Sequence, residues 1–270
     1  MLACNAPFEP THVDPLSCRI GGPMANELTY KDYVTDSRHM SEYSGYQTKY
    51  ARTIRESDRV LLDLVLAQLE PPNGTVLDIG CSTGNFLLHL RRAAPEAKLT
   101  GGDVVPAVID ACRSNPELMA IEFAIMDMLQ KPVRTFDIVV ANAALMFFSP
   151  SEFRTAIANL GSMVAAKGSL IVFDYFHPWD QELSIVETSR AHPHGLKFFQ
   201  RSYSQVSVAL AAAGLTPEEF RPFDIPIDLP APADRGDITT HTVRTAQGVG
   251  LSFRGTLFQP WCHLVARKRS

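Results

Sequence analysis

Hydrophobic and polar positions follow two alternating periods along the middle of the chain. Short apolar runs occupy residues 76–80, 99–104, 123–127, 137–143 and 169–176, and the segments between them carry apolar residues at helical spacing. Strands that are apolar on both faces and separated by helices are typical of a parallel sheet covered on both sides. The pattern therefore predicts an α/β fold built on a doubly wound, mostly parallel seven-stranded sheet.

The segments before this core have a different character. Residues 1–25 are rich in Pro and Gly and lack periodicity, which predicts a flexible arm. Residues 26–70 turn helical and are expected to form a helical lid. Asp58 is the predicted N-cap of its last helix, which ends at the Pro71-Pro72-Asn73-Gly74 turn.

Two additions interrupt the core, which we expect to span residues 71–270. Residues 177–200 are predicted to be irregular, and residues 229–256 are predicted to form a β-hairpin around Gln247-Gly248-Val249-Gly250. Further strands are predicted at residues 219–228 and 258–266. Added segments of this kind are expected to lie near the ligand site and to influence which ligand binds.

Composition and charge restrict the class of protein. A chain of 270 residues with 46% hydrophobic and 20% charged residues excludes a disordered or fibrous protein. The net charge of -4 gives no basic surplus for nucleic acid, so a nucleic-acid partner is not expected. The sequence shows no signal-like start, no apolar run near the roughly 18 residues of a membrane span and no C-x-x-C pair. These features predict a cytoplasmic protein without a membrane partner.

The first candidate site follows the first predicted strand, because ligands of open parallel sheets bind outside the carboxyl ends of the strands. There the chain reads Asp78-Ile79-Gly80-Cys81-Ser82-Thr83-Gly84. Gly80 and Gly84 let a ligand approach the backbone closely, and the following helix start offers free N–H groups. A dinucleotide-binding turn needs a third glycine, which this turn lacks, and Asp78 suits a cationic ligand better than a pyrophosphate.

The next two strands also end in carboxylates. Gly101-Gly102-Asp103-Val104 places Asp103 where it can accept hydrogen bonds from ribose hydroxyls. Met126-Asp127-Met128 places a second acid where it can accept from an adenine amino group between apolar side chains. The three strand ends together indicate a nucleoside ligand with a cationic part.

In the order and place of these motifs, residues 72–176 resemble a class I S-adenosylmethionine-dependent methyltransferase of the small-molecule type. The resemblance implies S-adenosylmethionine as cofactor, with the methionine part on the turn from Asp78 to Gly84, the ribose on Asp103 and the adenine amine on Asp127. Ser82 stands where the family often has glycine. The candidate cofactor-binding residues are Tyr46, Arg55, Asp78, Gly80, Ser82, Asp103, Val104, Asp127, Met128 and Asn142.

The end of the fourth strand bears on the acceptor. It reads Asn142-Ala143-Ala144-Leu145-Met146-Phe147 and lacks the Asn/Asp-Pro-Pro-aromatic motif of enzymes that methylate base amines. An apolar wall at this place resembles small-molecule methyltransferases, so the expected function is methyl transfer to an O or N atom of a small-molecule acceptor. No cluster of hard oxygen ligands is evident, and no metal is expected.

Three other functions stay open. A tRNA- or protein-modifying methyltransferase would carry Arg38, Lys49, Arg52, Arg55 and Arg59 on one basic face. A non-catalytic protein that binds S-adenosylmethionine would share every cofactor motif. A nicotinamide-dependent oxidoreductase is disfavoured by the missing glycine.

The last question is proton removal. Displacement at a sulfonium carbon needs positioning and exclusion of water rather than a nucleophilic side chain. A hydroxyl acceptor would still benefit from a base, and His177, at the end of the fifth strand, is the candidate catalytic residue. The competing interpretation is that His177 anchors the loop before Pro178.

Overall fold

The computed structural model describes residues 29, 30, 47, 50–132 and 134–269. The described helices are α1 (Glu56–Gln68), α2 (Asn85–Ala93), α3 (Pro106–Ser114), α4 (Pro150–Met163) and α5 (Tyr203–Ala212). The first strands are β1 (Thr75–Ile79), β2 (Lys98–Asp103), β3 (Glu122–Ile125), β4 (Phe136–Asn142), β5 (Val164–His177) and β6 (Leu183–Glu187). The remaining strands are β7 (Leu196–Ser202), β8 (Leu215–Pro222), β9 (Thr240–Arg244), β10 (Gly250–Arg254), β11 (Leu257–Phe258) and β12 (Trp261–Lys268).

The central sheet has the strand order β3-β2-β1-β4-β5-β12-β8. Neighbours from β3 to β5 are parallel, whereas β12 runs antiparallel to both β5 and β8. The predicted doubly wound, mostly parallel sheet is therefore confirmed, and β6 and β7 extend the seven strands of this order to nine because β7 pairs with the end of β5. Strand order reverses at β1, which pairs with β2 on one side and β4 on the other, and this is where open α/β sheets bind ligands.

Two hydrophobic clusters cover the two faces of this sheet. Leu61, Leu87 and Ile109 bring α1, α2 and α3 onto one face, where they meet Val76 and Val140. On the other face α4 and α5 pack on residues that alternate with these along β1 and β4, such as Leu77 and Val139. Side chains of a strand point alternately to opposite faces, so apolar runs in β1 and β4 bury both sides.

The added segments differ in part from the prediction. Residues 229–256 contain the expected antiparallel strands, as β9 and β10, which form a three-stranded sheet with β11. Residues 177–196, in the added segment 177–200, were expected to be irregular, but they contain β6, which pairs with β7 as an antiparallel hairpin. The exposed positions of β6 weaken its apolar signal, because the hairpin buries mainly β7 residues such as Phe198.

Some boundaries also move. The strand expected at residues 219–228 is β8, which begins at Leu215 and ends at Pro222, a residue without a backbone donor. The final strand begins at Trp261, and Phe258 belongs to β11. Helix α1 begins at Glu56 with Arg55 at the N-cap position, so Asp58 lies in the first turn and is not the cap.

The predicted arm of residues 1–25 falls outside the described residues, and so does most of the predicted lid before residue 50, including Tyr46. In the part of the chain that is described, no helix has the length and apolarity needed to cross a membrane.

Candidate functional site

A cleft with about 840 Å³ of open space lies at the carboxyl ends of β1 to β4. Seven of the residues chosen from the sequence line it, and they are Gly80, Ser82, Asp103, Val104, Asp127, Met128 and Asn142. The ends of neighbouring parallel strands meet at one edge of a sheet, which explains why motifs far apart in sequence converge here.

The turn after β1 forms the floor of the cleft. Gly80, Ser82 and Gly84 all have positive φ angles, of 80°, 50° and 75°. The Gly80 N–H donates to the Gly102 carbonyl oxygen across 2.7 Å, which ties the turn to β2. A Cβ atom at Gly80 would lie 3.3 Å from Met128 Cε, so a side chain here would be strained and would crowd the cleft.

Asp103 holds two turns together while it lines the cleft. Its Oδ2 accepts from the Ser82 N–H at 3.0 Å, and its Oδ1 accepts from the Val105 N–H at 3.0 Å. Burial raises the pKa of this carboxyl, and the backbone donors act in the opposite direction. Each carboxylate oxygen can accept a further hydrogen bond, so Asp103 can still bind a pair of hydroxyls.

Asp127 has a comparable arrangement beyond β3. Its Oδ1 accepts from the Leu129 N–H at 2.8 Å, and its Oδ2 accepts from the Tyr30 hydroxyl at 3.2 Å. Tyr30 is buried, packs edge-on against Phe148 with ring centroids 4.9 Å apart, and has a raised pKa because of burial and the Asp127 charge. Tyr30 also lines the cleft, although Tyr46 was the lid tyrosine expected there.

Asp78 and Arg55 lie outside the residues that line the cleft. Asp78 is 2% exposed, and its Oδ1 has no hydrogen-bond partner among the described residues. Burial raises the pKa of Asp78 to about 8; the nearby carboxylates of Asp58 and Asp103 add to this, and Arg55 opposes it. Arg55 reaches the cleft indirectly, since Asp58 accepts from Arg55 Nε at 2.7 Å and from Asn142 Nδ2 at 3.0 Å.

An apolar wall, residues 143–148, closes the other side of the cleft, where Ala143, Ala144, Phe147 and Phe148 line it. Ala143 has a φ of 56°, an uncommon conformation for a residue with a Cβ. The wall then continues through a 3-10 turn at Leu145–Phe147.

Two buried charges hold this apolar wall. Asp174 Oδ2 accepts from the N–H groups of Leu145 and Met146 at 2.7 and 3.2 Å. The Arg201 guanidinium donates to the carbonyl oxygens of Leu145 and Phe148 and lies over the ring of Phe153. Burial raises the pKa of Asp174 to about 6 and lowers that of Arg201 to about 10. Neither residue was singled out for the wall from sequence, because only the folded chain brings β5 and β7 to it.

The structure does not bring His177 into the lining of the cleft. It lies at the end of β5, paired in register with Ser202 of β7. Burial lowers its pKa, and the nearby backbone groups of Trp179 and Gln200 act in the opposite direction. Proton removal by His177 stays a prediction. No group of three or more potential metal-ligating side chains occurs within the described ranges.

Comparison with known proteins agrees with this geometry. Residues 76–168 match a family model described as a methyltransferase domain. A carboxy-S-adenosyl-L-methionine synthase of Campylobacter jejuni is 26% identical over 110 residues, which are 40% of this chain and 47% of that protein. A malonyl-[acyl-carrier protein] O-methyltransferase of Haemophilus ducreyi is 30% identical over 162 residues, 57% of this chain and 58% of that protein. The chain thus spans about half the length of the curated relatives that it matches.

Two solved structures share the fold over nearly the whole chain. The Burkholderia thailandensis 1,6-didemethyltoxoflavin-N1-methyltransferase, with 1,6-didemethyltoxoflavin and S-adenosylhomocysteine bound, is 15% identical with a TM-score of 0.58 and covers 93% of this chain and 94% of its own. The Synechocystis magnesium protoporphyrin IX methyltransferase with S-adenosylmethionine bound is 16% identical with a TM-score of 0.57, covering 91% and 100%.

Proposed function

We propose that this chain, which belongs to the class I S-adenosylmethionine-dependent methyltransferases, transfers the methyl group of S-adenosylmethionine to an O or N atom of a small molecule. The observation that carries the proposal is the convergence of Gly80, Asp103 and Asp127 on one cleft at the point where strand order reverses. A nucleoside is recognised by groups that accept hydrogen bonds from its hydroxyls and its amine. The carboxylates of Asp103 and Asp127 supply such groups on neighbouring strand ends.

Each part of the cofactor has a proposed set of residues. Asp103 accepts from the ribose hydroxyls and Asp127 from the adenine amine, and the side chains of Val104 and Met128 contact the faces of the ring. The methionine part lies along the turn of Gly80 and Ser82 toward Asn142, with Asp78 behind it. Tyr46 and Arg55 remain proposed lid contributions, of which Arg55 connects to Asn142 through Asp58.

The acceptor is proposed to be small and uncharged. The apolar wall presents Ala143, Ala144, Phe147 and Phe148 to the cleft, and no Lys or Arg is among the described residues that line it. An ionised acceptor would lose its hydration against this wall without a matching charge, which is costly. The bound cofactor supplies an electrophilic methyl group, and the wall aligns the acceptor and excludes water.

Two of the three described arginines of the predicted basic face are paired with acids, which does not favour a macromolecular substrate. Arg55 is paired with Asp58 and Arg59 with Glu56, at 2.7 and 3.4 Å. Arg52 is exposed, and Arg38 and Lys49 lie outside the described residues. Phosphate binding would compete with these acidic partners on α1. A small-molecule acceptor is therefore the better supported proposal.

The test is methyl transfer from isotopically labelled S-adenosylmethionine to separate pools of uncharged phenols and heterocyclic amines, carboxylates, total tRNA and denatured protein. We expect label in a product of the first pool, with release of S-adenosylhomocysteine. With cofactor below saturation, Asp103→Ala should reduce this label by about tenfold or more, while Asp110→Ala, an exposed change on α3, should retain it. Label only in tRNA or protein, or cofactor binding without label in any pool, would contradict the proposal.

A further inference from the structure

Two buried carboxyl groups lie behind the cleft, and the sequence motifs explain only one of them. Asp78 ends β1, and Asp58 lies in the first turn of α1; each is 2% exposed. Asp58 is joined to the cleft by Asn142, which lines the cleft and donates from Nδ2 to Asp58 Oδ1 at 3.0 Å. A buried acid is costly unless it has a partner or a function.

The start of α1 is held firmly in this position. Nε2 of His263, on β12, donates to the Ser57 carbonyl oxygen at 3.0 Å, and Arg55 Nε donates to Asp58 Oδ2 at 2.7 Å. The Asp58 carboxylate therefore occupies a fixed place beside the ends of β1 and β4 and is not a mobile surface group.

The charges around Asp78 do not balance. Asp58 on α1 and Asp103 on β2 are acids, Arg55 is the one cation among the described groups that act on Asp78, and the neighbouring thiols of Cys81 and Cys112 add no positive charge. Asp78 Oδ1 also lacks a hydrogen-bond partner among the described residues. A buried site with surplus negative charge and an unpartnered oxygen binds either a proton or a cation.

We propose that Asp58 is a cofactor-recognition residue that acts with Asp78 to bind the α-ammonium group of the cofactor, and that in the free protein Asp78 holds a proton, which is released to solvent on binding. The inference rests on the proposed function, because S-adenosylmethionine and S-adenosylhomocysteine both carry that ammonium group. It adds a residue from α1 to the site and a proton to the binding equilibrium.

The raised pKa of Asp78 gives the direction of the pH dependence. A group that loses its proton near pH 8 is about half ionised at pH 8 and about 1% ionised at pH 6. Because binding requires the ionised form of Asp78, we expect S-adenosylhomocysteine affinity to rise by up to about 50-fold from pH 6 to pH 8. Close to one proton should be released per molecule bound at pH 7.

The experiment is isothermal titration calorimetry with S-adenosylhomocysteine and with 5′-methylthioadenosine, each in two buffers of different ionisation enthalpy. The second probe keeps the adenosine and the sulfur but has no ammonium group, so its affinity should not depend on pH and its binding should release no proton. S-adenosylhomocysteine binding without proton release, or with equal affinity at pH 6 and pH 8, would overturn this inference and leave the proposed function standing.

Variants separate recognition from support of the fold. Asp58→Asn keeps the shape of the side chain and an acceptor for Asn142. It should weaken S-adenosylhomocysteine about tenfold at pH 8 and reduce the proton release, while 5′-methylthioadenosine changes less than about twofold. Asp63→Asn, on the exposed face of the same helix, should change neither probe. Equal losses for both probes in Asp58→Asn would make Asp58 purely structural, and wild-type protein that binds neither probe would overturn the proposed function and this inference with it.

Discussion

The two sides of the cleft are held in different ways. On the side of the strand-end acids, the turn after β1 and the carboxylate of Asp103 are fixed by backbone hydrogen bonds to neighbouring strand ends. On the other side, the apolar wall is fixed by Asp174 and Arg201, two buried charges from β5 and β7. The first side carries the groups suited to the cofactor that the family shares. The shape of the second side depends on side chains that are distant in the sequence, so it can change without altering the first side.

The largest expected effect concerns the support of the wall. Arg201→Met should lower the free energy of unfolding by about 3–5 kcal/mol, because the buried carbonyl oxygens of Leu145 and Phe148 lose their charged donor and Asp174 loses a nearby positive charge. Arg201→Lys keeps a charge but not the two-pronged donor, and should lose less. Urea denaturation measures both.

The affinity for S-adenosylhomocysteine separates the two sides in the same variants. It should change by less than about threefold in Arg201→Lys, since Arg201 supports the wall and does not line the cleft. A loss of affinity as large as that expected for an Asp103 variant would show that the two sides are not independent.

The next effect concerns the cofactor side. Asp103→Ala should weaken S-adenosylhomocysteine by about one to two orders of magnitude, because each charge-assisted hydrogen bond to a ribose hydroxyl contributes roughly 1.5–3 kcal/mol. Asp110→Ala, at an exposed position of α3, is the matched control. If calorimetry finds the same affinity in both variants, Asp103 does not bind the ribose hydroxyls.

These sides also differ in how far the sequence predicted them. The strand ends with Asp103 and Asp127 were predicted, because each follows a local apolar run and parallel strands bring such ends together. Tyr30 and Asp127 are 97 positions apart in the sequence, and Arg201 is at least 53 positions from the wall residues to which it donates. No local sequence pattern encodes such contacts. The β6–β7 hairpin was missed for a related reason, since three of the five β6 residues are exposed and its apolar alternation is weak.

A further effect is expected in the pH dependence of stability without ligand. The pKa of Asp78 is raised from its ordinary value of 3.8 to about 8, so the folded protein binds this proton more tightly than the unfolded chain does. Stability should therefore fall as the pH rises through that window. Asp78→Asn should lack this contribution and be more stable than wild type at pH 8, but not at pH 4, in urea denaturation.

Parallel curves for Asp78→Asn and wild type from pH 4 to pH 8 would contradict an uncompensated charge at Asp78. Asp174, whose pKa is raised to about 6, contributes between about pH 4 and pH 6 in both proteins and cancels in this comparison.

The smallest effect is expected at His177. His177→Gln should leave S-adenosylhomocysteine affinity and the rate of methyl transfer within about twofold of wild type, because this ring lies outside the lining of the cleft. The pH profile of the rate, measured with the acceptor found in the screen, should be unchanged. A tenfold slower rate with unchanged cofactor affinity would instead support His177 as the base.

The most direct measurement is the crystal structure of the protein with S-adenosylhomocysteine. The two-sided cleft predicts ribose hydroxyls on Asp103, the adenine amine on Asp127 and the sulfur directed toward the apolar wall, with the hydrogen bonds of Asp174 and Arg201 to the wall unchanged. A ligand bound elsewhere, or one bound here with its adenine against the apolar wall and its amino-acid part toward Asp127, would contradict the assignment of the two sides.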